Sequence, residues 1–313
     1  MGFTPTEKIW FNGQLVPWQD AKVHVLAHGL HYGTGVFEGI RSYETAQGAA
    51  VFRLDTHLER LFQSAAVYEL ELPYSMQALA DATLEVVRVN ALGNAYLRPI
   101  AFFDASTLSV WTKECPVTVA IAGYPLGAYL VGGPDQGVRV TVSSVRKFPS
   151  NAMPATGKAC GQYINSARAV QEAQRRGFDE AILLNQRGEV SEGSGENIFV
   201  VKNGTIITND ADADILMGVT RDTMLHLARD LSIPLRIAPL TVDDLMSADE
   251  LFFSGTAVEV TPIREIDGHV VGDGKPGAIT RRMQTTFYEA ARGQRPEYRK
   301  WLAFARQPVA TRP

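Results

Sequence analysis

The sequence predicts a two-domain protein of the mixed α/β (α+β) class. Helical and strand-like segments intermix along the chain without the regular strand–helix alternation of a doubly wound sheet. The 313 residues are enough for two domains, and their 45% hydrophobic and 20% charged content is ordinary for a globular protein. A glycine- and proline-rich stretch at 125–137 predicts a linker. We therefore expect a small N-terminal domain at 1–124 and a larger C-terminal domain at 138–313.

The first predicted element is a β-hairpin, because Asn12-Gly13 separates the strand-like runs Lys8–Phe11 and Gln14–Pro17. Two helices follow, at 55–70 and 75–90, the second with Ser75 as a plausible N-cap. The apolar face of the first helix consists of Leu58, Leu61, Phe62, Ala65 and Ala66. Apolar and aromatic runs at 95–103 and 117–124 predict strands.

The second half alternates short strands with helices. The predicted strands are 138–145, 180–184, 197–201 and 205–208, and the predicted helices are 165–176, 220–231 and 277–292. The segment from Gly293 is polar and contains Pro296, Pro308 and Pro313. We expect its end to be mobile, although Trp301, Leu302 and Phe304 could dock.

Charge and cysteine content exclude several classes of protein. The net charge is −4 and the 30 lysines and arginines are scattered, so no basic surface is expected to bind nucleic acid. No apolar run at 1–20 has the length of a signal peptide, and no segment could span a membrane. The two cysteines, Cys115 and Cys160, have neither metal-ligand nor redox spacing. These features predict a cytoplasmic protein.

One lysine is placed as an amine catalyst would be. Lys158 stands among small residues, with Tyr163 five positions later. A crowded, desolvated lysine can form a Schiff base with an aldehyde. Glu192 lies in a glycine-rich stretch at 191–197, and a carboxylate can keep a pyridine nitrogen protonated.

Two segments could bind a phosphate group. At 218–222 a glycine and Thr220 open a helix, where free backbone N–H groups favour an anion, although Thr220 could simply be an N-cap. At 253–257 an apolar strand ends in Ser254 and Thr256, which form either a second phosphate contact or a plain turn.

The histidines at 24, 28 and 31 would share a face of a helix, but nearby glycines make a long helix unfavourable. Extended structure and no metal site are therefore expected. Tyr96 and Arg98 alternate in a predicted strand and should project from one face, as a receptor for a carboxylate.

Taken in order, these motifs resemble those of the fold-type IV pyridoxal phosphate (PLP) enzymes, and most closely the branched-chain amino acid aminotransferases. The resemblance extends from about residue 8 to 293. It rests on the runs at 31–41, 52–53, 96–99, 158–163, 191–197, 218–222 and 254–257. It implies a two-domain architecture like that of D-amino acid aminotransferase, with PLP bound by the C-terminal domain.

The resemblance also assigns roles to residues. Lys158 is the Schiff-base lysine and proton carrier, Glu192 pairs with the pyridine nitrogen, and Tyr163 with the phenolic oxygen. The phosphate cup is formed by Arg53, Val219, Thr220 and Thr256, and Leu216 packs on the ring. Substrate contacts are Tyr32, Phe37, Tyr96, Arg98, Tyr129, Thr256 and Ala257. Arg98 would take the distal carboxylate of glutamate or 2-oxoglutarate.

The implied reaction transfers an amino group from L-leucine, L-isoleucine or L-valine to 2-oxoglutarate, in a homodimer. The stretch at 104–114 departs from the family pattern, which leaves D-amino acids or (R)-amines as alternative substrates. An aminodeoxychorismate lyase shares the cofactor residues, but the Tyr96/Arg98 pair argues against it. A non-enzymatic scaffold would lack the lysine or the carboxylate.

Overall fold

The computed structural model describes residues 4–130 and 133–305. Gly132 of the predicted linker, together with Pro308 and Pro313 of the predicted tail, lies outside the described residues.

Strands and helices intermix throughout the described part of the chain. The strands are β1 (Lys8–Phe11), β2 (Gln14–Pro17), β3 (Gly35–Phe37), β4 (Ile40–Tyr43), β5 (Ala50–Phe52), β6 (Ala95–Phe103), β7 (Val117–Pro125), β8 (Val138–Arg146), β9 (Glu180–Leu184), β10 (Val190–Gly193), β11 (Asn197–Lys202), β12 (Thr205–Thr208), β13 (Leu235–Ile237), β14 (Glu250–Gly255), β15 (Glu259–Ile266), β16 (His269–Val270) and β17 (Leu302–Phe304). The α-helices are α1 (His28–Tyr32), α2 (Leu54–Val67), α3 (Met76–Val89), α4 (Gly133–Gln136), α5 (Tyr163–Arg175), α6 (Val219–Asp230), α7 (Val242–Met246) and α8 (Ala278–Ala291). The mixed α/β class is confirmed.

The described residues divide into two compact units. The first draws on three segments, which are the chain up to Gly127, Gly157–Gly161, and the chain from Glu289 on. The second contains Ala128–Thr156 and Gln162–Tyr288. The units therefore interleave along the chain, and the division into domains at 1–124 and 138–313 stays a prediction.

The first unit is built on an eight-stranded sheet with the order β17-β5-β4-β6-β7-β1-β2, in which β3 also pairs with β6. The predicted hairpin is confirmed, because Lys8 faces Pro17 and Phe11 faces Gln14. Helices α2 and α3 cover the sheet with apolar side chains, and Leu58, Leu97 and Ile121 are fully buried. This burial is the main favourable term that holds the unit together.

Helix α2 ends three residues earlier than predicted. Glu69 adopts a left-handed conformation (φ 53°), and the Leu70 N–H donates to the Ala65 carbonyl. This bond satisfies a carbonyl at the helix end and turns the chain. Helix α3 begins as predicted, since the Ser75 side chain accepts from the Ala78 N–H.

The second unit is built on a nine-stranded sheet with the order β10-β9-β8-β15-β14-β11-β12-β13, in which β16 pairs with β15. Strand β8 runs parallel to both neighbours, β9 and β15, and β12 runs parallel to β13. The remaining pairs are antiparallel. Fully buried Ile182, Ile198 and Phe253 contribute to its core.

The segment after Gly293 is ordered up to Ala305, and the end of the chain, for which mobility was predicted, lies outside the described residues. Strand β17 pairs antiparallel with β5, and Leu302 faces Phe52. The Trp301 ring packs edge-on against Phe52 and stacks on Tyr298. Apolar side chains therefore fix this segment, as the docking alternative predicted.

Candidate active site

In the first unit the backbone around Lys158 is clamped from both sides. The Phe37 N–H donates to the Lys158 carbonyl (3.1 Å), and the Lys158 N–H donates to Ser64 Oγ (2.9 Å). An isolated antiparallel bridge joins Val36 to Ala159. Lys158 therefore lies on a short extended segment with a fixed position, although the segment belongs to no long strand.

The small residues around Lys158 are required by close approach. A Cβ on Gly157 would lie 2.7 Å from the Tyr68 ring. A Cβ on Gly33, which has φ +66°, would lie 2.9 Å from the Gly161 Cα. Side chains at either position would displace the lysine segment.

A buried network of charges lies beside Lys158. The Glu38 carboxylate accepts from Arg60 Nε (2.6 Å), Arg60 Nη2 (2.8 Å) and His57 Nδ1 (2.8 Å), and Glu38 is fully buried. Burial alone would raise the pKa of Glu38, but Arg60 and His57 hold it far below its usual value. Glu38 therefore remains a carboxylate at any physiological pH.

The Lys158 amine gives up its proton more easily than an ordinary lysine. Burial, and then the charge of Arg60, lower the pKa of Lys158 to about 8, against the opposing charge of Glu38. Its Nζ lies 5.0 Å from the centre of the Phe37 ring. At neutral pH a usable fraction of the amine is thus neutral, as nucleophilic and base chemistry requires.

Tyr96 and Arg98 lie together, as the alternation in β6 predicted. Arg98 Nη2 donates to the Tyr96 hydroxyl (3.2 Å), and the guanidinium lies 4.5 Å over the Phe37 ring. Both side chains, with Phe37, belong to the surroundings of Lys158. A cation and a phenol on a ring-lined surface can bind a carboxylate next to an apolar group.

Arg53 and Arg60 occupy different surroundings. The Arg53 guanidinium lies 5.1 Å over the Trp301 ring and donates to Thr56 Oγ1 (3.3 Å), so its role in a phosphate cup stays a prediction. Arg60, whose charge acts on Lys158 more strongly than that of Arg98, was not among the residues predicted from the sequence. A signal was present, because His57, Arg60 and Ser64 are polar residues on the buried side of α2.

The histidine segment forms a short helix, α1, where extended structure was expected. Gly33 closes it in a left-handed conformation, with its N–H donating to the Gly29 carbonyl. The buried His28 ring bonds Thr34 Oγ1 (2.7 Å) and the Ser109 carbonyl (2.9 Å), and the Tyr32 hydroxyl donates to the Leu108 carbonyl (2.8 Å). Among the described residues no cluster of His, Cys, Asp and Glu could hold a metal ion.

In the second unit Glu192, on β10, is held through both of its carboxylate oxygens. Oε2 accepts from Asn197 Nδ2 (3.1 Å) and from the Leu216 N–H (3.0 Å). Oε1 forms an ion pair with Lys147 Nζ. The predicted residues Glu192 and Leu216 are therefore brought together by direct contact.

Helix α6 begins beside this carboxylate. Its N-cap is Gly218, with no side-chain cap, so the simpler interpretation of Thr220 as the N-cap is wrong. A Cβ on Gly218 would collide with Asn197 Oδ1. The N–H groups of the first turn, including Val219 and Thr220, have no acceptor within the helix and favour an anion.

The other predicted phosphate-binding segment, 253–257, includes the end of β14, which pairs with β11. Ser254 pairs with Asn197 across β14 and β11, and Thr256 and Ala257 follow β14 directly. Ser254 Oγ is buried and has no hydrogen-bond partner within 4–130 and 133–305. A carboxylate, an uncapped helix start and an unsatisfied hydroxyl on neighbouring elements suit a group with a basic nitrogen and a phosphate, as PLP has.

Two predicted residues of the second unit lie apart from this cluster in the sequence. Tyr163 is the first residue of α5. Tyr129 is half exposed and follows β7. Their contacts with substrate or cofactor stay predictions.

Comparison with known proteins decides the family. The family described as Amino-transferase class IV matches residues 35–266. The chain belongs to this family. Within it, a branched-chain-amino-acid aminotransferase of Pseudomonas aeruginosa is 44% identical over 294 residues, covering 94% of this chain and 95% of the relative. Its counterpart in Escherichia coli strain K12 is 43% identical, covering 94% and 96%.

Solved structures agree with this placement of the aminotransferase. The branched-chain amino acid aminotransferase of Escherichia coli superposes with a TM-score of 0.94 at 41% identity, over 96% of this chain and all of the other. That of Thermobaculum terrenum, solved in its PLP form, has a TM-score of 0.91 at 33% identity, over 97% and 99%. A further branched-chain amino acid aminotransferase, solved with pyridoxamine 5'-phosphate, has a TM-score of 0.93 at 44% identity, over 96% and 99%.

Proposed function

We propose that this aminotransferase uses PLP to move the amino group of L-leucine, L-isoleucine or L-valine to 2-oxoglutarate. The observation that carries the proposal is Lys158, a clamped lysine whose pKa is about 8, next to Phe37, Tyr96 and Arg98. Relatives that share 40–44% of their residues over nearly the whole chain are named for branched-chain amino acids.

In this proposal the chain's own residues divide the work. Bound PLP supplies an electron sink for negative charge at the substrate α-carbon. Lys158 takes the α-proton as a base and returns it as an acid, which suits an amine that titrates near neutral pH. Glu192 holds a proton at the pyridine nitrogen, and the start of α6, with Thr256, binds the phosphate.

The substrate groups match the chemistry around Lys158. Arg98 can pair with the distal carboxylate of glutamate, and Tyr96 can donate to an α-carboxylate. The Phe37 ring offers apolar surface to a branched side chain. One set of residues thus suits both an apolar and an acidic amino acid.

We also propose that the chain acts as a homodimer in the cytoplasm. The segments 25–32 and 108–111 of the first unit are joined by the hydrogen bond from Tyr32 to the Leu108 carbonyl, and they carry apolar side chains that are 46–82% exposed: Val25, Leu30, Tyr32, Val110 and Trp111. Exposed apolar clusters of this kind mark protein interfaces. Both cysteines are free, as a reducing compartment favours. No helix among the described residues is long and apolar enough to cross a membrane.

The test is a half-reaction. PLP-loaded protein is mixed with L-leucine without an oxo acid, and the absorbance of lysine-bound PLP is followed. We expect it to convert to that of pyridoxamine phosphate, and to return when 2-oxoglutarate is added. Conversion by D-amino acids or (R)-amines but not by L-leucine would replace the substrate assignment.

Sedimentation of the same sample tests the dimer, with Val110→Asp as the variant expected to dissociate it.

A further inference from the structure

The pair of Lys147 and Glu192 is a buried charge contact that no step above uses. Lys147 Nζ reaches Glu192 Oε1, and the two side chains are only 11% and 6% exposed. Most surface lysines keep their ammonium group in water because its dehydration is unfavourable. A lysine drawn out of water towards one oxygen of one carboxylate is therefore a specific arrangement.

Two hydrogen bonds fix the backbone of Lys147. The Lys147 N–H donates to the Leu184 carbonyl (2.9 Å), and its carbonyl accepts from Gln186 Nε2 (2.8 Å). Lys147 directly follows β8, and Leu184 ends the neighbouring strand β9. The sheet thus sets the backbone position from which the Lys147 side chain reaches Glu192.

The three partners of Glu192 divide between its two oxygens. Asn197 and the Leu216 N–H, both neutral donors, bind Oε2, while the only charged partner that the described residues provide binds Oε1. The neutral donors suffice to orient the carboxylate. What Lys147 adds is a full positive charge at close range.

We propose that Lys147 is a positioning residue that acts through Glu192 to favour a proton on the pyridine nitrogen of PLP. This inference rests on the proposed function. A cation that touches Glu192 stabilises the carboxylate more than it repels a charged nitrogen farther away, because Coulomb energy falls with distance. Lys147 therefore keeps the proton on the nitrogen, where it supports the electron sink.

The experiment measures that proton directly. Wild-type protein and variants are loaded with PLP carrying ¹⁵N in the ring, and the ¹⁵N chemical shift is recorded by NMR. In Lys147→Met we expect the shift to move towards that of an unprotonated pyridine. Lys147→Arg should restore the wild-type shift, and the exposed Lys275→Met should leave it unchanged.

A wild-type shift in Lys147→Met would overturn the inference and leave the pair a structural one. If Lys147→Met does not fold, Lys147→Gln, which keeps a donor without the charge, decides on the same criterion. A wild-type protein that shows no bound ¹⁵N signal would instead overturn the proposed function, and this inference with it.

Discussion

Lys158 and Glu192 have charged neighbours of opposite kinds, one of like sign and one of opposite sign. Lys158 is a buried cation with another cation, Arg60, as a neighbour, and burial together with that charge lowers its pKa to about 8. Glu192 is an anion paired with a cation, Lys147, and two neutral donors. The charged neighbour of Lys158 has the same sign as the lysine, whereas the charged neighbour of Glu192 has the opposite sign. The contrast matches the proposed roles, a lysine that exchanges protons and a carboxylate that pairs with a cationic nitrogen.

The largest expected effect follows from removing the amine of Lys158. In Lys158→Ala we expect turnover to fall by about 10⁴-fold or more, since general acid–base catalysis alone contributes up to about that factor. Steady-state rates with L-leucine and 2-oxoglutarate measure the loss. The exposed Lys300→Ala is the matched control, and equal activity of the two variants would refute the role of Lys158.

Removing the buried anion should damage the fold of the same region. Glu38→Gln leaves Arg60 and His57 without their charged partner, at a cost of about 3–5 kcal/mol in the free energy of unfolding. Urea titration measures this cost, with the exposed Glu114→Gln as control.

The pH dependence of that cost has a definite sign. Because the pKa of Glu38 is depressed on folding, its contribution is complete above the ordinary pKa of a carboxyl group and is lost as pH falls towards the depressed value. The difference between wild type and Glu38→Gln should thus be constant near neutral pH and shrink in strong acid. A difference that grows in acid would contradict this account.

Arg98→Ala tests whether the residues around Lys158 bind the acidic substrate separately from catalysing the reaction. We expect kcat/KM for glutamate to fall by about 10–100-fold, which corresponds to one charge-assisted hydrogen bond of about 1.5–3 kcal/mol. The loss for leucine should be much smaller. Arg98→Lys is a useful companion, because it keeps the charge without the planar fork. Equal losses for both substrates would remove the role given to Arg98.

The smallest expected effect is on the titration of Lys158 itself. In protein free of PLP, acylation of Lys158 should rise with pH to half its maximum near its pKa of about 8, well below the pH at which an ordinary lysine reacts. Arg60→Gln removes a neighbouring cation and should move that midpoint upward, whereas Arg60→Lys should hold it. Peptide mass spectrometry follows the labelling, and an unmoved midpoint in Arg60→Gln would show that burial acts alone.

Features that depend on neighbouring residues in the sequence were predicted correctly. Strand alternation placed Tyr96 beside Arg98, the Asn12-Gly13 turn gave the hairpin, and the serine cap gave the start of α3. The charged neighbours were missed because they depend on tertiary contacts. Arg60 is 98 residues from Lys158 by number, and Lys147 follows a strand whose neighbour ends at Leu184, the residue that sets its position. The residues around Lys158 and Glu192 pointed to these two positions but not to their charged neighbours Arg60 and Lys147.

The pairing of strand β17 affects the order in which the two units can fold during synthesis. This strand pairs with β5, so the first unit holds together segments that are synthesised before the second unit and others that are synthesised only after it. Since domains fold as their residues leave the ribosome, we expect the second unit to fold first and the first unit to wait with an open sheet edge. The unit whose strands emerge earliest is therefore the one that needs protection from aggregation longest.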